Sequence, residues 1–321
     1  MIIITGAAGF IGSCLIQKLN DEGYFDLVLV DDFSDLEQNK NFAGKRFSLQ
    51  VDREEFPSWL RANHLHVQFL YHLGARTDTT EFDYDLLKRL NLNYTRELWK
   101  ICVEYGLPFV YASSAATYGL GEYGYDDNFE DLQKLRPLNP YGESKNDFDI
   151  WAQQEVERPY YWAGLKFFNV YGPNEYHKGR MASVIFHTYQ QVMNSGEMNL
   201  FQSHNPGYRD GEQMRDFVYV KDVVEVLYFL MHHRRDSGIY NLGSGKARTF
   251  LDLARNTFIA LGKEPKINFI PTPEDIRDKY QYFTEATMEK LTSIGYHKSF
   301  TSLEDGISDY VKNYLSKRAY L

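Results

Sequence analysis

The sequence predicts an α/β protein built on a doubly wound parallel sheet, with a smaller C-terminal α/β substrate lobe. Two observations carry this. Apolar, β-rich runs recur through the first half with helical stretches between most of them, and those runs are near-continuously apolar, as strands covered by helices on both faces are. They lie at 2–5, 27–31, 47–51, 69–73, 109–113 and 165–170. After Gly172-Pro173 the rhythm changes: strands scatter, helices become fewer, and polar loops such as 202–215 lengthen. The division expected is a first domain over 1–172, with 217–245 returning to it, and a substrate lobe over 173–321.

Each element has a local reason. The run Ile2 to Thr5 meets glycines at Gly6, Gly9 and Gly12, and an amphipathic helix starts at Phe10. An acidic pair, Asp31-Asp32, ends the second strand 19 residues after Gly12. Glycine spacing alone is weak, and a glycine turn can serve packing only. Placed directly after a strand and at the head of a helix, it points to a dinucleotide site of Rossmann type. Glycine allows the tight turn and the close approach of backbone to a pyrophosphate, and the helix N-terminus offers free N–H groups.

Composition removes other classes. A net charge of −9 argues against nucleic acid as the main partner, since phosphate binding needs a basic face. The two cysteines, Cys14 and Cys102, sit in helical patterns, with no disulfide framework and no Cys/His metal spacing, so no metal is expected. No signal segment or membrane span is visible, and a cytoplasmic enzyme is expected.

The second motif is Tyr141-Gly-Glu-Ser-Lys145. Four-residue spacing on a helix puts both side chains on one face. A lysine ammonium close to a phenol favours the phenolate, so the expectation is a tyrosine with lowered pKa acting as acid and base. Such a pair is more often a surface pair. It gains force from Ser113-Ser114 at a strand end, where a hydroxyl can reach a reacting carbonyl oxygen. Strand alternation sends one of the two serines away from the site. Ser114 is the one expected there, a strand-end cap being its bland alternative.

With Ser, Tyr and Lys in this order on a dinucleotide fold, the whole chain resembles the extended short-chain dehydrogenase/reductase family. Further marks are Tyr-Ala-Ser-Ser-Ala-Ala-Thr-Tyr-Gly at 111–119, Asn91 in Asn-x-x-Tyr-Thr and Asn-Pro-Tyr-Gly-Glu-Ser-Lys at 139–145. Arg-Asp-Phe-Val-Tyr-Val-Lys-Asp at 215–222 and Gly-Ile-Tyr-Asn-Leu-Gly-Ser-Gly at 238–245 complete them. The stretch 167–184, with His-Lys-Gly-x-Met-Ala-Ser inside it, is similar to the subgroup of ADP-glycero-manno-heptose 6-epimerases. So are Thr79-Thr80-Glu81 and Lys-Tyr-Gln-Tyr-Phe-Thr at 279–284.

The resemblance implies an ADP-heptose substrate, inversion at the sixth sugar carbon with bound NADP, and a place in lipopolysaccharide core precursor synthesis. It also implies a homo-oligomer, a pentamer in particular, with neither nucleic acid nor membrane as partner. That carbon lies outside the ring, so rotation about one bond presents its other face, and the hydroxyl occupies a different place in each epimer. Proton transfer needs contact at about 2.6–3.2 Å, so one group cannot reach both places. Tyr141 and Lys178 are the pair implied, one per epimer, with Ser114 and Lys145 supporting. Outside this motif Lys178 reads as a solvated loop lysine.

Carried over by motif, the cofactor contacts implied are Gly6, Gly9, Phe10, Ile11, Gly12, Asp31, Asp32, Leu73, Gly74, Ala75, Arg76, Thr77, Asn91, Lys145 and Val170. Substrate contacts implied are Asn169, Arg180, His187, Phe201, Gln202, Ser203, His204, Arg215 and Tyr280. The Arg215 fork matches diphosphate oxygens, whereas His187 reads equally as a packed core histidine. Two departures stand out: Arg180 occupies a place where a small serine is expected, and the loop after His204 is longer than usual and lacks a glycine near 201–204. Asp31 favours NAD, because a carboxylate pairs with a ribose diol. The heptose enzymes nevertheless generally carry NADP, and Lys40 and Arg53, the latter next to Asp52, are placed to neutralise a 2′-phosphate. NADP is the expectation and NAD the alternative.

Two other readings compete. A 4-epimerase or 4,6-dehydratase on a nucleotide hexose shares the fold, but dehydratases place an acidic pair after the catalytic hydroxyl, where this chain has Ala115-Ala116. A non-catalytic NAD(P)-sensing protein would typically lose the tyrosine or the lysine, and both are present.

Overall fold

The computed structural model describes residues 1–321 except 129, 278 and 279, so Lys279 of the 279–284 motif lies outside the described residues. Six strands fill the first half: β1 (Ile2–Thr5), β2 (Leu27–Asp31), β3 (Leu49–Asp52), β4 (Phe69–His72), β5 (Phe109–Ser114) and β6 (Trp162–Phe167). Then follow β7 (Asn169–Tyr171), β8 (Met198–Phe201), β9 (Met214–Tyr219), β10 (Gly238–Leu242), β11 (Ala247–Thr249) and β12 (Ile267–Ile270). The main helices are α1 (Phe10–Asp21), α2 (Phe56–Asn63), α3 (Tyr94–Tyr105), α4 (Pro140–Gln154), α5 (Val184–Ser195), α6 (Val220–His232), α7 (Phe250–Ala260) and α8 (Leu303–Asp309).

Seven strands form one sheet in the order β10-β6-β5-β4-β1-β2-β3, and every pairing in it is parallel. β1 and β2 are fully buried apart from Asp31, as strands between two helical layers must be. On one face α1 packs against α6, with Cys14, Leu15, Val223 and Leu227 fully buried. On the other, Trp99 of α3 meets Phe109, Phe148 and Trp162 at ring separations of 6.0, 6.0 and 5.2 Å. Reversal of strand order between β4-β1 and β1-β2 opens a crevice at the carboxyl ends of these strands, where ligands of open α/β sheets bind. The last strand of the sheet, β10, comes from 238–242, and α6 precedes it.

The structure corrects three expectations. The run 165–170 is not one strand: β6 ends at Phe167 and β7 joins β9 and β11 in a separate three-stranded sheet. Phe168 makes the break, giving its N–H to Leu242 O and packing its ring near Tyr118 and Tyr125. An all-apolar run has no period to reveal such a break. The third strand starts at Leu49, not 47, and three of its four residues are exposed because it is the sheet edge. Nor are helices fewer beyond Gly172, since α5 to α8 all lie there.

Candidate active site

The loop after β1 is shaped by contacts that admit only glycine. Gly6 has φ +68°, and a Cβ there would lie 2.6 Å from the Cα of Gly74. A Cβ on Gly12 would lie 2.1 Å from Gly6 O. Thr5 links the loops after β1 and β4: its carbonyl accepts from Leu73 N–H and its hydroxyl from Gly74 N–H, both at 3.2 Å. Gly9 caps α1 without a side chain, so the first-turn N–H groups face the crevice with no capping oxygen. This cradle fits the pyrophosphate of a dinucleotide. Gly12→Ala is expected to destabilise the fold by about 1–3 kcal/mol through overpacking, measurable by urea unfolding.

Around the cradle, Asp31 is built into the loop. Its two oxygens accept N–H groups from Ala8 at 2.9 Å and Asp32 at 2.8 Å, while burial pushes its carboxyl up. Asp52 lies beside it across the β2–β3 ladder and is exposed. The expected phosphate cations are both engaged elsewhere: Lys40 pairs with Glu37 at 2.6 Å, and Arg53 with Asp32 at 3.5 Å and Glu54 at 3.3 Å. Phe10 is buried and Ile11 partly so at the head of α1. The loop Leu73–Gly74–Ala75–Arg76–Thr77 runs outward to exposed Arg76 and Thr77. Buried Asn91 staples it, accepting from Arg76 N–H and donating to Arg76 O and to the Ser144 hydroxyl on α4. Val170 and exposed Asn169 open β7.

α4 starts at Pro140 with fixed φ, and Asn139 Oδ1 accepts from Gly142 N–H at 2.8 Å. This sets Tyr141 and Lys145 one turn apart beside the end of β5. The Ser114 side chain lies beside Tyr141 and favours its phenolate. Ser113, on the opposite face of the strand, donates to Asp149 at 2.6 Å. Lys145 Nζ donates to Ala112 O at 2.9 Å.

The phenol does not show the lowered affinity expected for it. Burial pushes Tyr141 up, the Ser114 hydrogen bond opposing and the Asp149 charge adding to the rise. Desolvation of the phenolate is the largest cause, and burial pushes the Lys145 ammonium itself down to about 8. A lysine bound less tightly to protons when folded destabilises the fold below about pH 8, and that cost fades as pH rises towards 10.5. Lys145→Met should therefore be more stable than wild type at pH 7, by roughly 3 kcal/mol at most. Urea unfolding should show the difference narrowing at pH 9.5.

Lys178 stands in the short helical segment Tyr176–Met181, which is fastened over the glycine loop. Asn41 Nδ2 bonds both Ala8 O at 2.9 Å and His177 Nδ1 at 3.1 Å. Lys178 Nζ lies 5.2 Å from the Phe10 ring centre, and the Thr79 hydroxyl donates to Met181 S at 3.4 Å. Burial pushes the Lys178 ammonium down, with Glu175 opposing. Lys178 is thus not a solvated loop lysine. Arg180 is exposed, and partly exposed His187 on α5 bonds Arg180 O at 3.3 Å, so His187 is not a core histidine.

Arg215 is buried on β9, its guanidinium 5.6 Å from both the Phe250 and Tyr280 rings and held by the Met214 and Gln281 carbonyls. Beside Tyr280 a cleft of about 560 Å³ opens, lined by His204 and by residues that sequence reasoning missed, including Tyr125, Tyr208, Tyr282 and Phe283. Rings of Tyr208, His204 and Tyr280 stand 4.9, 5.2 and 5.3 Å from Tyr282. Tyr282 and Phe283 sat inside a quoted motif, whereas Tyr125 and Tyr208 carried no sequence signal. Partly buried Phe201 flanks Tyr280 at 6.5 Å, Gln202 is exposed, and Ser203 N–H is tied to Asp210 at 2.7 Å. Among the described residues there is no group of three or more His, Cys, Asp or Glu side chains suited to a metal, and no helix long and apolar enough to cross a membrane.

The chain is 49% identical to an ADP-L-glycero-D-manno-heptose-6-epimerase of Fusobacterium nucleatum, with 99% of this chain and 98% of the relative covered. It is also 49% identical to the enzyme of that name from Nitratidesulfovibrio vulgaris, covering 98% of each. Among solved structures, the Helicobacter pylori ADP-L-glycero-D-manno-heptose-6-epimerase superimposes with a TM-score of 0.80 at 28% identity, covering 97% of this chain and 95% of that one. Thermus thermophilus UDP-glucose 4-epimerase in complex with NAD gives 0.76 at 26% identity, covering 98% of each. Residues 2–243 match the description NAD dependent epimerase/dehydratase family, and with the cradle and the Ser-Tyr-Lys set in place the chain belongs to that family.

Proposed function

We propose that this protein interconverts ADP-D-glycero-D-manno-heptose and ADP-L-glycero-D-manno-heptose at the sixth sugar carbon, a step towards the lipopolysaccharide core. The observation that carries the reading is Lys178, held over the glycine loop and Phe10 while Tyr141 waits at the end of β5. The glycine cradle at Gly6, Gly9 and Gly12 would hold a nicotinamide dinucleotide, which when bound would supply hydride removal from the carbinol carbon and its return to the other face. The chain's own groups handle the proton. Tyr141 takes or returns it for one epimer, Ser114 steadies the same oxygen, and Lys178 serves the other orientation. Lys145, with its lowered proton affinity, sits beneath Tyr141 on α4.

Residues 1–172 with 217–245 form the cofactor lobe in this reading, and the rest of 173–321 the substrate lobe. Arg215 meets the diphosphate, and the tyrosine-lined cleft takes the adenine face-on. NADP is the cofactor proposed, as the subgroup implies, with NAD the alternative. The protein works as a homo-oligomer in this proposal, pentameric as the subgroup implies.

Purified protein should release a nicotinamide dinucleotide on denaturation and turn over with none added, since the reaction regenerates it each cycle. Mass spectrometry of the supernatant identifies NADP or NAD. Apo protein fully active in cofactor-free buffer overturns the reading. In competition assays ADP should inhibit better than UDP or GDP. Preference for UDP transfers the reading to a hexose 4-epimerase.

A further inference from the structure

The loop that carries Lys178 begins and ends on one residue. Glu175 is fully buried, yet it is not paired with any arginine or lysine at salt-bridge distance among the described residues. Its carbonyl accepts the N–H of Lys178 at 3.0 Å, which starts the turn. Its carboxylate reaches eight residues ahead: one oxygen accepts the Ser183 N–H at 2.5 Å and the other the Ser183 hydroxyl at 2.6 Å. Ser183 in turn caps α5, accepting from Phe186 N–H. Between the two grips the backbone needs a left-handed residue, Gly179 at φ +50°, and the preceding Asn174 is itself left-handed at φ +74°. Asn174 is also fully buried and donates to the Ser13 hydroxyl on α1.

We infer that Glu175 is the positioning residue for Lys178: its buried carboxylate closes the loop onto α5 and sets a negative charge facing the ammonium. This rests on Lys178 acting as acid and base. A carboxylate accepts both Ser183 donors at once, whereas an amide accepts one through its oxygen, can only donate to the hydroxyl from its nitrogen, and carries no charge. Burial pushes the Glu175 carboxyl up, and the lysine charge and the two short Ser183 bonds oppose that rise by favouring the carboxylate. Removing that charge leaves the half-buried ammonium uncompensated, and its proton affinity falls. The titratable groups around this pair are Tyr176 and His177 on the same segment, Cys14 on α1, and Tyr310. His177 on the same segment has its own affinity lowered by burial and by Lys178, and Tyr310 faces Glu175 from the C-terminal helical segment.

The test compares Glu175→Gln, Ser183→Ala and Lys178→Met in the cofactor-loaded enzyme, reading kcat, KM for ADP-heptose, the pH profile of kcat, cofactor content and melting temperature. For Glu175→Gln we expect kcat to fall by about tenfold to a hundredfold, as for a misplaced catalytic group, with KM within a few-fold of wild type. The ascending limb of the pH profile should move to lower pH. Ser183→Ala keeps the charge and loses one bond, so kcat should fall several-fold with the pH limb unmoved. If Lys178→Met is inactive while Glu175→Gln keeps wild-type kcat and pH profile, the inference fails and the two-base reading stands. Near-wild-type activity in Lys178→Met overturns that reading and the inference together. Should Glu175→Gln not fold, an unchanged kcat in Ser183→Ala overturns the positioning role, and a lowered one at full cofactor content supports it.

Discussion

Tyr141→Phe and Lys178→Met should each lose net epimerisation by at least about 100-fold and by up to about 10,000-fold, the range general acid–base help supplies. Neither change should unfold the protein. Tyr141→Phe keeps the ring and removes only a hydroxyl, and Ser114 still caps Ala116 N–H. Lys178→Met keeps a flexible chain of similar length over Phe10. Because a full cycle passes through both orientations of the hydroxyl, losing either group stops it. The discriminating measurement is a single half-reaction with each pure epimer, following reduction of the bound cofactor spectroscopically. The two variants should fail with opposite epimers. A one-tyrosine epimerase gives a different pattern: Lys178→Met stays within a few-fold of wild type, and Tyr141→Phe fails with both.

The second large effect lies behind α4 and is one of stability. Lys166 and Asp149 are 1% and 0% exposed, 2.7 Å apart, and fully satisfied: Asp149 also accepts from Ser113 and Tyr111, and Lys166 donates to Thr117. Lys166→Met leaves a carboxylate buried without its cation, which costs about 3–5 kcal/mol. Urea unfolding should show that loss, and the double variant Lys166→Met/Asp149→Leu should recover much of it, since no orphan charge then remains. A loss under about 1 kcal/mol in the single variant would show that the pair contributes little, as exposed pairs do. The same carboxylate raises the proton affinities of Tyr141 and Lys145, so the variants should also shift the pH dependence of activity.

Much of this was legible before any fold was seen, and for definable reasons. The glycine loop is legible because each glycine answers to a local steric demand: a Cβ at Gly6 or Gly12 collides with backbone. The strands β1, β2, β4 and β5 are legible because burial on both faces enforces apolar runs. The alternation of Ser113 and Ser114 is legible from the period of two along a strand. β3 was blurred because an edge strand needs no apolar face, and the break at Phe168 was hidden because a core aromatic reads alike in a strand or at its end.

What the sequence by itself determined is therefore whatever depends on neighbours along the chain: the dinucleotide turn, the Tyr141–Lys145 spacing, the cap of α4 and the motif around Lys178. Tertiary structure alone decided the electrostatics and the walls of the site. A phenol's proton affinity depends on how much water it has lost, and burial pushes Tyr141 up. The engagement of Arg53 and Asp31 depends on partners such as Asp32 and Ala8, which the fold selects, whereas Lys40 meets Glu37 only three residues away. Tyr125, Tyr208 and Tyr282 come together from three separate segments, and no local pattern can encode a cleft whose sides meet only when the chain has folded.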